Sequence, residues 1–335
     1  MRLLTIICVL AAAVIAATPQ PTLVRQTLTR ILAHAESASL YRARVDWPAT
    51  RAEVLRLADT ATTVPSLAPA LRYLLRTMGD DHARVIHGGR ALAYFYGPPK
   101  PHLARFDAEL NNKIQSAAAY PFRATLLGRD VGYVRIVGLP MGDNAAMAKA
   151  IEDEVCRLTR EGATRWILDL RYNGGGNLNP MAEGVAAILG DGPAGGWKGP
   201  TRREDGTWRI ARGDFDNAGY SVALPNGCRM PGDRKVAVLT SVHTASSGEA
   251  LAVMFKGRAN TRFFGGKTLG MITATDWTVL DEATALTISV GHYVDRTGRV
   301  YDAFVDVDEE VAFAPTESLE SDAGVQRAVS WLQGR

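Results

Sequence analysis

From Arg123 onward the chain alternates short apolar runs with stretches of helical spacing, and this limits the fold more than any other feature. Residues 124–127 and 131–137 read as two strands joined by Gly128-Arg129-Asp130, a hairpin. Asp143 then precedes a helix with Met147, Ile151, Val155 and Leu158 on one face, and residues 166–170 return as a short buried strand. Next come a helix over 180–189, a polar excursion through Trp197 and Trp208, a strand at 236–240, a helix over 247–256 and a strand at 262–264. Strands resume over 272–301, and 317–332 reads as a closing helix. The pattern predicts an α/β (α+β) fold, with helices packed on a mixed sheet.

Ahead of this core, residues 21–81 carry apolar positions at helical spacing. They are Leu23, Leu28, Ile31 and Leu32, then Val54, Leu55 and Leu57, then Leu71, Leu74 and Leu75. Asp46-Trp47-Pro48 suits a helix start and Gly79 a helix stop. Residues 84–122, with Gly-Gly and Gly-Pro-Pro, read as a connecting segment. The predicted organisation is a helical unit with its connection over 18–122 and a catalytic core over 123–335.

The first 17 residues place Arg2 before an apolar run from Leu3 to Ala17, the pattern of a secretory signal peptide. The run is shorter than the roughly 18–20 residues that cross a bilayer, so no stable span remains after cleavage; an uncleaved anchor is the alternative. Its removal takes Cys8 and leaves Cys156 and Cys228, as a disulfide or as two buried thiols. A periplasmic or secreted location follows. The 38 Lys and Arg against 35 Asp and Glu give a net charge of +3, without the basic stripe of a nucleic-acid binder.

Two segments carry chemistry. Thr244-Ala245-Ser246-Ser247-Gly248-Glu249 follows a strand and opens a helix, so Ser246 stands beside unpaired amides able to stabilise an oxyanion. Ser246 and Glu249 also spell a capping box, which starts many helices with no catalytic task. Asp169-Leu170-Arg171-Tyr172-Asn173-Gly174-Gly175-Gly176 ends a buried strand in three glycines, where bare backbone can approach a substrate carbonyl or simply make a tight turn.

At these segments the chain resembles the tail-specific, or C-terminal-processing, serine peptidases and their relatives with a tricorn-protease core. Asp169 to Gly176 is similar to the family's Asp-Leu-Arg-x-Asn-Gly-Gly-Gly strand end. Thr244 to Glu249, continued by Gly265-Gly266-Lys267-Thr268-Leu269-Gly270, is similar to its nucleophile helix and following strand. The resemblance implies a core of the ClpP/crotonase kind, Ser246 as nucleophile, and an oxyanion hole from the amides of Ser247 and of Gly174 or Gly175.

In the tail-specific branch a lysine base follows Thr-x-Gly, but Met271 stands there, and a thioether cannot accept the serine proton. Fewer than 50 positions separate His82 from Val131, too few for that branch's PDZ domain. Gly79-Asp80-Asp81-His82 resembles instead the histidine-bearing turn of the tricorn-like branch, which implies His82 as base, with a pKa of about 6–7. Gly298-Arg299-Val300-Tyr301-Asp302 resembles that branch's Gly-x-x-Tyr-Glu stretch, which places Asp302 as the supporting acid; Asp81 is the competitor. His243 and His87 are rival bases, but neither occupies the motif's position.

Gly266-Lys267-Thr268 fails as a phosphate loop because position 261 is Thr and no long helix follows. The six His and two remaining Cys show no ligand spacing, so neither metal nor cofactor is predicted. The leading reading is a serine peptidase acting on peptide or protein substrates. The alternatives are a Ser–Lys dyad using Lys267 and a non-catalytic ligand- or peptide-binding protein of the same fold.

Overall fold

The computed structural model describes residues 20–334, apart from 99, 117–119, 223, 225, 226, 229 and 231–233; the signal-peptide segment lies outside them. Among the described residues no helix is long and apolar enough to cross a membrane. The described residues open with α1 (Gln20–Ala38), α2 (Trp47–Leu57) and α3 (Ala68–Met78), as the apolar spacing predicts. The Asp46 carboxylate accepts from the Ala49 amide at the head of α2. Gly79 ends α3 at φ 66°, a left-handed conformation that glycine adopts without steric cost. Leu71, Leu74, Leu75 and Met78 of α3 are buried in one cluster with Leu28, Ile31 and Leu32 of α1.

The next segment is not a mere connection. Residues 84–94 form a hairpin of β1 (Arg84–His87) and β2 (Arg90–Tyr94), and α4 (Ala108–Gln115) follows. Then come β3 (Arg123–Leu127), β4 (Val131–Arg135), α5 (Asn144–Arg160) and β5 (Arg165–Asp169). The predicted helix over 180–189 is broken at Val185 into α6 (Leu178–Gly184) and α7 (Ala186–Leu189). The polar excursion is in fact four strands: β6 (Gly192–Lys198), β7 (Gly206–Ala211), β8 (Asp214–Asn217) and β9 (Tyr220–Ser221). In β7 the buried Gly206, Trp208 and Ile210 alternate with exposed Thr207, Arg209 and Ala211, a half-solvated strand that looks polar in sequence.

The remainder is β10 (Val236–Thr240), α8 (Ser247–Phe255), β11 (Thr261–Gly265), β12 (Thr273–Val279), β13 (Thr284–Val294), β14 (Glu309–Glu310) and α9 (Ala323–Leu332). The closing helix starts later than predicted, because Asp322 caps it by accepting from the Val325 amide.

Two sheets result. One has the order β14-β11-β10-β5-β4-β3 and is parallel except for the β3–β4 hairpin. Its central strands are buried on both faces. Leu168, Val236 and Val238 pack towards Ile151, Val155 and Leu251, while Ile167, Ala237 and Leu239 pack towards Val325 and Ala328 of α9. The other sheet is antiparallel, β2-β1-β13-β6-β7-β8-β9, with β12 also on β13. Pairing of β1 with β13 crosses the expected division at 122/123 and brings the turn before β1 to the core. Cys156 and Cys228 form a disulfide, with Cα atoms 5.4 Å apart.

Candidate active site

The Asp-Leu-Arg triplet at the end of β5 is an anchor. Arg171 donates to Asp169 through Nε at 2.9 Å and Nη2 at 2.7 Å, and to both oxygens of Asp322 at 2.8 Å. All three side chains are buried, and Tyr133 adds a hydrogen bond to Asp169 at 2.7 Å. Buried charges of this kind are tolerated in a dry interior when each is hydrogen-bonded in good geometry, as the two carboxylates are here by Arg171. It ties the glycine strand end to the N-terminus of α9. From there Asn173 reaches across: its carbonyl accepts from the Ala245 amide at 2.9 Å. Ser241 and Thr244 donate back to the carbonyls of Arg171 and Leu170, each at 2.8 Å. The two sequence motifs are thus stitched into one loop pair.

Ser246 sits between β10 and α8 at φ 53°, ψ −118°, a conformation unusual for a residue with a side chain. Its amide donates to Glu249 at 2.9 Å, and its Oγ lies 2.8 Å from His82 Nε2. His82 follows the αL turn at Gly79. The Asp80 carboxylate accepts from the amides of His82 and Ala83, an Asx-type turn that fixes the direction of the ring's backbone. His82 is buried, and that burial lowers its pKa to about 4; Arg84 pushes the same way, Asp81 opposes, Lys100 adds to the fall and the Thr273 backbone opposes it. A neutral imidazole at hydrogen-bond distance from a hydroxyl is chemically able to accept its proton.

His82 Nδ1 lies 2.9 Å from Thr273 Oγ1, and Thr273 Oγ1 lies 2.8 Å from Ser289 Oγ, which donates to Asp80 at 2.7 Å. Neither acid favoured by sequence occupies this place. Asp302 is exposed beyond the buried Tyr301, whose hydroxyl goes to Asp295 at 2.9 Å, and Asp302 bonds no part of His82. Asp81 instead pairs with Lys100 at 2.9 Å. Lys267 is exposed over the Phe304 ring, 4.9 Å from its centroid, and makes no contact with Ser246. Among the rival bases, His243 stacks near Phe106 and His87 lies 2.9 Å from Thr284.

Of the oxyanion candidates, Ser247 presents an amide with no partner among the described residues at the first turn of α8, while its hydroxyl donates to the Gly176 carbonyl at 2.6 Å. Gly174 lines the same cavity. The Gly175 amide donates instead to Asn173 Oδ1 at 3.0 Å, a correction to its expected role. What Gly175 supplies is room: a Cβ there would stand 2.8 Å from Ser246 Cβ and 3.3 Å from its Oγ.

Ser246, His82, Gly174 and Ser247 open onto a cavity of about 920 Å³, with Phe106, Met271 and Trp277 among its apolar walls. That size admits several residues of a peptide. The residues linked to His82 that the sequence did not single out are Asp80, Thr273 and Ser289. Asp80 had a local signal, two residues before the histidine in an Asx-turn position. Thr273 and Ser289 had none, because strand pairing brings them together.

Residues 130–311, more than half of the chain, match the model described as Peptidase family S41. The chain belongs to peptidase family S41. It is 28% identical to the nisin-resistance protein of Lactococcus lactis subsp. lactis over 155 residues, 46% of this chain and 48% of that one, so the match spans about half of the relative. A solved lipoprotein from Streptococcus agalactiae shares 19% identity at TM-score 0.72, over 97% of this chain and 100% of that one. The photosystem II D1 C-terminal processing protease shares 16% at TM-score 0.57, over 93% and 97%. At such identities the S41 peptidase shares the fold of these structures.

Proposed function

We propose that this peptidase cleaves peptide bonds through an acyl-enzyme on Ser246, with His82 as general base. The observation that carries the reading is the 2.8 Å approach of His82 Nε2 to Ser246 Oγ across 164 positions of sequence. Ser246 Oγ attacks the scissile carbonyl carbon while His82 Nε2 takes its proton. The carbonyl oxygen becomes an oxyanion facing the Ser247 amide, beside the Gly174 backbone that lines the same cavity. Collapse expels the amine, which leaves with the proton from His82. Water then attacks the acyl group by the same route in reverse. The α8 N-terminus favours the negative charge at each tetrahedral stage.

An exported location is part of the proposal. It is supported by the Cys156–Cys228 disulfide, a bond that persists in oxidising compartments, and by the apolar run of residues 3–17. The similar Streptococcus agalactiae protein is called a lipoprotein.

The direct test is Ser246→Ala with a peptide substrate. Turnover should fall on the order of 10⁶-fold, as for other nucleophile deletions, in a variant that keeps its fold. Wild-type turnover by the folded variant would overturn the reading.

A further inference from the structure

The geometry points to Asp80 as the acid that orients His82, acting through the Ser289 and Thr273 hydroxyls rather than by contact. This rests on the reading of His82 as general base, and it makes Asp80, Ser289 and Thr273 positioning residues.

Asp80 is fully buried, and four donors meet its carboxylate: Ser289 Oγ at 2.7 Å, the Ser289 amide at 2.8 Å, the Ala83 amide at 3.1 Å and the His82 amide at 3.2 Å. Burial pushes the carboxyl pKa up, and these donors oppose the rise. Four donors and no acceptor favour the ionised form. An ionised carboxylate only accepts, so the single hydroxyl hydrogen of Ser289 points to Asp80. Ser289 Oγ must then receive the Thr273 hydrogen across 2.8 Å. With its hydrogen spent, Thr273 Oγ1 can only accept from the ring, across 2.9 Å. The proton is therefore on His82 Nδ1, and the lone pair on Nε2 faces Ser246.

That is the tautomer a general base needs, and no carboxylate touches the ring to impose it. The surrounding charges do not supply an alternative. Asp81 is engaged by Lys100, Arg84 donates to the Asp81 and Ala83 carbonyls, and the Tyr41 phenol, held up at about 12 chiefly by burial, meets Ser289 rather than the ring, while the Thr273 backbone acts on the ring from the same side as the Thr273 hydroxyl.

Ser289→Ala isolates the relay. It removes the acceptor of the Thr273 hydrogen and keeps the backbone amide that Asp80 uses. Thr273 is then free to donate to Nδ1, which moves the ring proton to Nε2, where it blocks proton transfer from serine. We expect kcat to fall about 100-fold with little change in KM. Thr273→Val should fall comparably, and Thr273→Ser should restore most of the rate. Asp80→Asn keeps the shape but loses the charge, and should cost about tenfold. Added to Ser289→Ala, it should cost little more, because the groups act as one unit.

Imidazole ¹⁵N shifts of His82, recorded in the inactive Ser246→Ala background, read the tautomer without reference to turnover. They should show an Nδ1 proton with the relay intact and an Nε2 proton after Ser289→Ala. Unchanged shifts in Ser289→Ala, or wild-type kcat in either Thr273→Val or Asp80→Asn, would overturn the assignment. Because the shifts do not depend on Ser246 being the nucleophile, failure of the relay is distinguishable from failure of the peptidase mechanism.

Discussion

The buried Glu249 carboxylate accepts from the Ser246 amide at 2.9 Å, and it also accepts from Thr268 Oγ1 at 2.5 Å and the Gly270 amide at 2.8 Å. One side chain therefore clamps the backbone of the strained Ser246 to the loop that follows β11. The capping box visible in sequence and the nucleophile reading are not rivals. The carboxylate holds the backbone, while the hydroxyl faces His82.

Burial is the main reason the Glu249 pKa rises to about 7, against hydrogen bonds that lower it. A carboxyl raised in the folded state binds more protons there than in the unfolded chain between about pH 4.5 and 7. Its contribution to stability is therefore full below that window and lost as pH rises through it. Glu249→Gln is neutral throughout. The stability margin of the wild type over this variant should shrink by about 2 kcal/mol or somewhat more between pH 5 and 8. Urea unfolding at the two pH values measures it, and a margin that widens with pH would contradict the argument.

His82 makes the pH profile depart from the usual histidine value. With its pKa lowered to about 4, chiefly by burial, the active neutral form persists to low pH. The acid limb of kcat/KM due to His82 should fall near pH 4, leaving the profile flat in that respect from pH 5 to 8. Arg84→Gln removes a neighbouring charge that lowers the pKa, so the limb should move to higher pH. A wild-type limb at pH 6–7, the value of an unperturbed histidine, would contradict this account.

Gly175 is the point where backbone and nucleophile meet most closely. Its φ of 101° and the 2.8 Å that would separate an added Cβ from Ser246 Cβ leave no room for a side chain. Gly175→Ala should lower kcat at least about 100-fold, because the displaced group is Ser246 itself. Ser247→Ala should be mild by comparison, since the amide stays and one solvent-facing hydrogen bond to the Gly176 carbonyl is lost. Equal rates in both variants and the wild type would show that this close approach does not matter.

Asp302 and Lys267 supply the negative controls. Both are exposed and neither contacts the Ser246–His82 pair, so Asp302→Asn and Lys267→Ala should stay within about twofold of wild-type kcat/KM. A loss beyond about 100-fold in either would restore the corresponding sequence expectation.

The alternation from β3 to β11 was legible because buried parallel strands are short continuous apolar runs and the helices between them carry caps such as Asp143. The sheet built from β6 to β9 was not, since one face of β7 is exposed and its alternation rests on Gly206, Trp208 and Ile210 among polar residues. Likewise Ser246, His82 and the glycine strand end were legible as motifs, each held in a local turn. The surroundings of His82 were not, because Thr273 touches the ring and Ser289 touches Thr273 from a paired strand, which leaves no signature in local spacing.

The central claim is that Ser246 is a nucleophile activated by His82, and stoichiometric labelling with a fluorophosphonate probe tests it most directly. Intact mass and peptide mapping should show one adduct per chain on Ser246 in the wild type, none in Ser246→Ala, and much slower labelling in His82→Ala. An unlabelled wild type, or an adduct that persists in the folded Ser246→Ala variant, would contradict it.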